Sequence, residues 1–449
     1  MSSTITTTTD VAPRTTAKPA ALAPRLIPFI AGLALLSFIL LLDPLTRQRF
    51  SFGPLQALGC AAGTTLAVLG CFAPAKLRGL FARLSMLLLS SLVMLLAAEA
   101  AFRLVGYDFS HAEERFLEHP IYYRWAIVPA GEIFNRRPGP DSWTGQVLRT
   151  GMRAEGVIDD AYADETPVTI TYDVTGFRNP DGLADWELVV AGDSFVELGY
   201  LPYEDLFSTL AGKQLNLRVK NLGLCHSGPL TYTYFVNQFG RAPSLRHIVF
   251  SFFEGNDLLD LQRETADLKR FREAGRREER TFAPQSSFLI ALKTLARPQR
   301  IRSQNAHFTA AGRSLPVTVK YIVPAEADLT PDQRRMLESA LDGWAESARS
   351  AGARPWLLYM PCKHRVLHQH LRYDDNAKLW LTSWRPTDLP QFVRRLAEER
   401  GIAVIDPTSA LTDAANAGNV PYNLIWDTHL NREGSRIVAD AIVQALRGN

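Results

Sequence analysis

Five short runs, each stopped by a turn-forming residue and separated from the next by a helical stretch, constrain this chain more than any other feature. Trp186-Glu187-Leu188-Val189-Val190-Ala191 leads into Gly192, Asn216 to Asn221 into Gly223, and His247 to Phe253 into Gly255. Pro355 to Met360 leads into Pro361, and Ile402 to Ile405 into Asp406. Short apolar runs bounded this way read as strands buried on both faces. Between them Met336, Leu337, Leu341, Trp344 and Ala348 recur at helical spacing within Pro331 to Ala351, and Leu389 to Glu399 and Arg432 to Leu446 are also amphipathic. Strands alternating with helices predict a three-layer α/β/α domain on a parallel sheet over residues 167–449. In such sheets chemistry belongs at the carboxyl ends of the strands.

The N-terminal part reads differently. Residues 1–23 are rich in Thr, Ala and Pro, with too few large apolar side chains to offset the entropy of ordering, and are expected to form a flexible tail. Residues 24–106 contain three apolar runs, about 26–43, 53–73 and 84–105, each close to the roughly 20 residues that cross a bilayer, and are expected to be an anchor of three transmembrane helices. Gly59 and Gly63 give a GxxxG spacing in the second run, and Glu99 and Arg103 can pair at the end of the third. Arg14, Lys18, Arg25, Lys76, Arg78 and Arg83 outnumber Arg47 and Arg49, so the positive-inside rule places everything after about Tyr107 outside, in the periplasm if the membrane is a bacterial inner one. Residues 107–166 read as a linker or cap.

Charge narrows the partners. Lys and Arg total 49 against 46 Asp and Glu, so no nucleic-acid partner is expected. Cys60, Cys71, Cys225 and Cys362 form neither a disulfide framework nor a CxxC pair. His364, His368 and His370 lack companion ligands, so no metal and no organic cofactor is expected.

Four polar elements follow the expected strands or precede the last helix. Gly192-Asp193-Ser194 can present a hydroxyl above the sheet. Asn221-Leu222-Gly223 and Gly255-Asn256-Asp257 can supply N–H donors for an oxyanion. Trp426-Asp427-Thr428-His429 offers a base and an orienting acid, the division of labour in a Ser/His/Asp triad. Each is ordinary turn chemistry alone. In this order, from about Trp186 to the C-terminus, they resemble the SGNH hydrolases, also called GDSL-type esterases.

The resemblance implies Ser194 as nucleophile, His429 as general base and Asp427 as its orienting acid, with the Ser194 N–H, Gly223 and Asn256 as oxyanion donors. Two departures accompany it: Asp427 and His429 are two apart where the family spaces D-x-x-H, and Gly255 touches Asn256 where the family reads G-x-N-D. If Asp427 points away, His429 can act in a Ser/His dyad. Tyr172-Asp173-Val174-Thr175-Gly176-Phe177-Arg178 resembles an N-x-x-G-F-R segment of membrane-linked relatives, with Asp173 in place of Asn, and Met360-Pro361-Cys362-Lys363 resembles their Pro-x-Lys turn. Glu254, His226 and Lys363 are candidate substrate-binding residues, Lys363 towards an anionic group.

The expectation is therefore a membrane-anchored serine esterase acting through an acyl-enzyme on O-acyl groups of an extracytoplasmic glycan or lipid. Two alternatives stand beside it. One is an O-acetyltransferase of exopolysaccharide or cell-wall modification, partnered with a membrane acyl-transfer protein. The other is a catalytically silent glycan-binding or scaffold subunit.

Overall fold

The computed structural model describes residues 26–37, 54–72, 74–104, 128–129, 133–137, 139–145, 168–198, 200–274, 304–424 and 428–448. The chain divides into two compact units, one formed by Met1–Ala112 and Glu279–Ala296, the other by Glu113–Glu278 and Arg297–Asn449.

The first unit is helical where it is described, with helices at 26–37, Pro54–Phe72 and Ala75–Leu104. Gly32 and Gly63 bring the first two together: a Cβ on Gly32 would lie 2.5 Å from the Gly63 carbonyl oxygen. The expected three-helix membrane anchor is overturned, because among the described residues no helix is long and apolar enough to cross a membrane. The reasons lie in the local sequence. The described part of the first helix, 26–37, rises only about 18 Å, well short of a hydrocarbon core of roughly 30 Å. Pro54–Phe72 dilutes its apolar residues with Gln56, Thr64, Thr65 and three glycines. Ala75–Leu104 carries Lys76, Arg78 and Arg83 at one end and Glu99 and Arg103 at the other, leaving residues 84–98 uncharged, about 22 Å of helix. With the anchor goes the loop-charge argument that put the α/β domain outside.

The second unit is built on a five-stranded parallel sheet. Its strands are β1 (Leu188–Gly192), β2 (Val219–Gly223), β3 (His247–Phe253), β4 (Arg354–Met360) and β5 (Ala403–Ile405), in the spatial order β5-β4-β3-β1-β2. Every residue of β1 and β2 is buried, as strands covered on both faces require. The second strand starts later than the sequence pattern suggests, because Asn216 adopts a left-handed conformation (φ 54°) and caps the preceding helix, its N–H meeting the Gly212 and Lys213 carbonyls.

Helix placement follows from this order. The step from β1 to β2 runs one way across the sheet and every later step runs the other way. Right-handed crossovers therefore put α2 (Phe207–Leu215) on one face and α3 (Pro229–Phe239), α5 (Pro331–Ser350) and α7 (Leu389–Glu398) on the other. The last helix, α9 (Arg432–Arg447), packs on α2, and α4 (Asp257–Ala274) packs on α3 and α5. Thr330 accepts from the Gln333 N–H and Gln333 reaches back, a capping box that starts α5 ahead of Pro331. Trp344 of α5 stacks on Phe250 of β3 with centroids 4.8 Å apart and donates its indole N–H to the Pro229 carbonyl, tying α5 and α3 to the core.

The reversal of direction falls between β1 and β3, so their carboxyl ends form the topological switch point of an open α/β sheet. A separate antiparallel sheet pairs Ala306–Ala310 with Arg313–Val317 and Leu371–Tyr373. Its two-residue turn, Ala311-Gly312, has positive φ at both positions (47° and 76°), the condition for a tight hairpin.

Candidate active site

Ser194 opens a four-residue helix, α1 (Ser194–Glu197), at the end of β1. Asp193 caps it, its carboxylate accepting from the Phe195 N–H at 2.9 Å. Leu198 then turns left-handed, φ 39°, and ends the helix. Among the described residues no group accepts from the Ser194 N–H.

A buried polar layer holds this turn from beneath. Arg178 is 1% exposed and donates to the carbonyls of Glu197, Leu198 and Leu201 at 3.0, 2.6 and 2.7 Å, satisfying the groups that a short helix leaves open. Glu197 accepts from Arg137 at 3.0 Å, from the Tyr172 hydroxyl at 2.8 Å and from the Cys225 N–H at 2.6 Å. Burial pushes its carboxyl up, but the Arg137 guanidinium and these donors hold it below the ordinary carboxylate range. Asp173, in an Asx turn with the Thr175 N–H, pairs with Lys220 at 2.6 Å. Asn179 joins that layer to β2, donating to Asp173 and the Asn221 carbonyl and accepting from the Asn221 N–H. The 173–179 segment thus works as a brace for the nucleophile turn, and Arg137 brings part of the entry region into it.

His429 approaches from the other side, on the segment before α9. Its Nε2 lies 2.7 Å from Ser194 Oγ. For Nε2 to accept from the hydroxyl, the imidazole proton sits on Nδ1. The Phe195 ring lies against the imidazole, centroids 4.5 Å apart, and stacks in turn on Phe253 at 3.9 Å. Tyr200 donates its hydroxyl to the Leu430 carbonyl, joining the segment after Ser194 to the one bearing His429.

Behind Ser194 carboxyl groups accumulate. Asp193 and Asp257 are both buried; Asp257 accepts from the Tyr232 hydroxyl and the Phe253 N–H, each at 2.9 Å. Burial pushes Asp193 up to about 6, against the pull of the Phe195 N–H and of a charged His429. Burial and the neighbouring Asp193 push Asp257 well above the carboxylate range, and burial also raises Asp260.

The other expected site residues fall in varied places. Gly223 lies beside Gly192 in the sheet, but its N–H donates to the Asn221 side chain at 2.8 Å, which occupies the donor expected for an oxyanion. What the glycine supplies is space: a Cβ there would lie 2.3 Å from the Glu197 nitrogen, inside the backbone of α1. Asn256 is half-buried in the turn after β3, its amide nitrogen donating to Asp260. Glu254 does not face a substrate. It is 2% exposed and accepts from Arg365, the Cys362 N–H and the Tyr359 hydroxyl, a closed buried ion pair. Lys363 is 1% exposed and donates to the carbonyls of Asn423 and Leu424, so it points into the protein rather than towards an anionic ligand. His226 lies on the exposed turn after β2 with φ 64°. Asp427 lies outside the described residues. Of the three nearby histidines, His364 bonds the Tyr321 carbonyl and the Tyr373 hydroxyl, and His370 bonds Asn416.

Arg137, Arg178, Glu197, Tyr200 and the carboxyl of Asp193 carry the site's architecture without having been assigned to it from sequence. Asp193 had a local signal, its place immediately before the serine. Arg178 closes the Tyr172–Arg178 segment whose resemblance was noted, without a role assigned to it, and Arg137, Glu197 and Tyr200 had no such signal.

No protein-family model matches the chain, and no curated protein matches it. Among solved structures it is similar to a lipolytic protein of the G-D-S-L family from Desulfitobacterium hafniense, at 14% identity and a TM-score of 0.30, over 57% of this chain and 98% of that one. It is also similar to an alpha/beta hydrolase enzyme from the metagenome of Lake Arreo, Spain, at 15% identity and a TM-score of 0.31, over 58% of this chain and 95% of that one.

Proposed function

We propose that the chain is a serine ester hydrolase. The observation that carries the reading is the 2.7 Å pairing of Ser194 Oγ with His429 Nε2, at the carboxyl end of a parallel sheet where strand order reverses. In this mechanism His429 takes the hydroxyl proton as Oγ attacks the ester carbonyl, and the proton passes to the departing alcohol as the acyl-enzyme forms. Water, deprotonated by the same nitrogen, then releases the acid.

Charge develops twice. The oxyanion needs donors aimed at the carbonyl oxygen, and the Ser194 N–H and the Asn256 amide are the groups assigned to it; loss of such a donor costs roughly 10²–10³ in rate. The imidazolium gains from the carboxylate of Asp193, buried in the same low-dielectric region. The substrate class proposed is an O-acyl ester of a glycan or lipid.

The test is hydrolysis of a short-chain aryl ester by the full chain beside Ser194→Ala and His429→Ala, with mass spectrometry of the adduct from a fluorophosphonate. Activity lost in both variants, with the adduct on Ser194, supports the proposal. Equal activity in wild type and Ser194→Ala, or no adduct on folded protein, would sink it. Repeating the reaction with acetylated oligosaccharide and phospholipid esters, and with a free sugar acceptor, separates the substrate classes and distinguishes release of acid from acyl transfer.

A further inference from the structure

The turn after β4 is built as a clamp on the segment that carries His429. Lys363, almost wholly buried, donates from Nζ to two consecutive carbonyls, those of Asn423 and Leu424. Two residues earlier, Pro361 accepts from the Tyr422 hydroxyl at 2.9 Å. The clamped segment passes its position on directly: the Asn423 N–H donates to the His429 carbonyl at 2.9 Å, and Tyr422 bridges Leu430. The turn is fixed from behind, because the Glu254 carboxylate takes both the Cys362 N–H and Arg365 at 2.8 Å. A continuous set of polar ties therefore runs from the end of β3, through the turn after β4, to the backbone of His429.

Desolvating a lysine in this way is costly unless its donors are met, and here Nζ donates to two consecutive main-chain carbonyls of one short segment. Aliphatic side chains of similar length would fill the same volume without ordering those carbonyls. Helix or strand ladders cannot do the job, since 423–424 lie in neither.

We propose that Lys363 is a positioning residue for the general base, setting the separation of His429 from Ser194 through the 421–424 segment. This rests on the esterase reading for its catalytic consequence but not for its geometric one.

The experiment uses full-length protein labelled with ¹³C-histidine and follows the His429 imidazole through a pH titration in wild type, Ser194→Ala, Lys363→Met and the double variant, alongside ester kinetics. Ser194→Ala is expected to move the His429 midpoint by about half a unit or more in the wild-type background and by under about a tenth in the Lys363→Met background. Lys363→Met is expected to lower kcat by about a hundredfold with KM within about threefold. Where Lys363→Met fails to fold, Tyr422→Phe, which removes the hydroxyl that ties the segment to Pro361, replaces it, with a kcat loss of about fivefold and a partial loss of the coupling.

An unchanged Ser194–His429 coupling, or kcat within twofold of wild type, in the folded variant overturns the proposal. If coupling is lost in Lys363→Met while wild type hydrolyses no ester, the positioning stands and the esterase reading falls. If wild type is active and coupling persists, the reverse holds.

Discussion

The two halves of the candidate site are held by different means. The Ser194 turn stands at the end of a central strand and rests on buried charged pairs, Arg137 with Glu197 and Lys220 with Asp173, plus three donations from Arg178 to the turn's own carbonyls. The His429 segment is tied by lysine and tyrosine side chains that reach its backbone carbonyls, and its nearest buried charged pair, Glu254 with Arg365, fixes the turn that carries the lysine and not the segment itself. The contrast has a physical basis. A short helix ending in a left-handed residue leaves several carbonyls open in the dry interior, and a guanidinium can meet three at once. A segment outside the ladder needs only its path fixed, and single donors suffice.

This comparison can be broken by experiment, and the largest effect belongs to the pair that spans it. Ser194→Ala or His429→Ala is expected to cut kcat for ester hydrolysis by about 10⁴-fold or more, and the double variant should be no slower than the worse single one, because the two act as a unit. Additive losses measured in steady-state assays would break the unit.

On the serine side the supporting layer should act through stability. Arg137→Met leaves Glu197 buried without its cation and is expected to cost about 3–5 kcal/mol, read as a lower denaturant midpoint at unchanged slope. A loss under 1 kcal/mol would mean that the brace contributes little.

Gly223→Ala tests the close approach of α1 to β2. The new Cβ would meet main-chain atoms of Val196 and Glu197 at 2.5 and 2.3 Å, so the Ser194 turn must move; we expect about a 10²-fold fall in kcat and about 1–3 kcal/mol of destabilisation. Unchanged kcat and stability would show that α1 accommodates the methyl without moving the Ser194 turn.

The smallest effect is a pH dependence. Asp193 is pushed up to about 6 by burial, so between about pH 4 and 6 the native state holds a proton that the unfolded chain has released. That raised value makes stability fall as pH rises through the window. Asp193→Asn keeps an oxygen for the Phe195 N–H and removes the charge. Relative to wild type it should gain on the order of 1 kcal/mol between pH 4 and 7 by chemical denaturation, and a flat difference would show that Asp193 is already ionised at pH 4.

Much of the α/β unit was legible before its structure. The five runs became the five strands of one parallel sheet, and Ser194 and His429, 235 residues apart, meet. The helical unit was misread for a reason specific to its sequence: counting uncharged residues in 26–43, 53–73 and 84–105 ignores where helices begin and end and how glycine, threonine and terminal charges thin their hydropathy. Glu254 and Lys363 were misread for another. Both were judged by chemical type at a strand end, whereas their surroundings turn them inward.

By itself the sequence determined the alternation of strand and helix and the serine and histidine at its turns, because burial on both faces and turn stereochemistry are written within a few neighbouring residues. The tertiary structure alone decided which groups serve the site. Arg137 meets Glu197, Lys363 meets Asn423 and Leu424, and Asn179 meets the backbone of Asn221, since partners of buried polar groups depend on which segments the fold brings together.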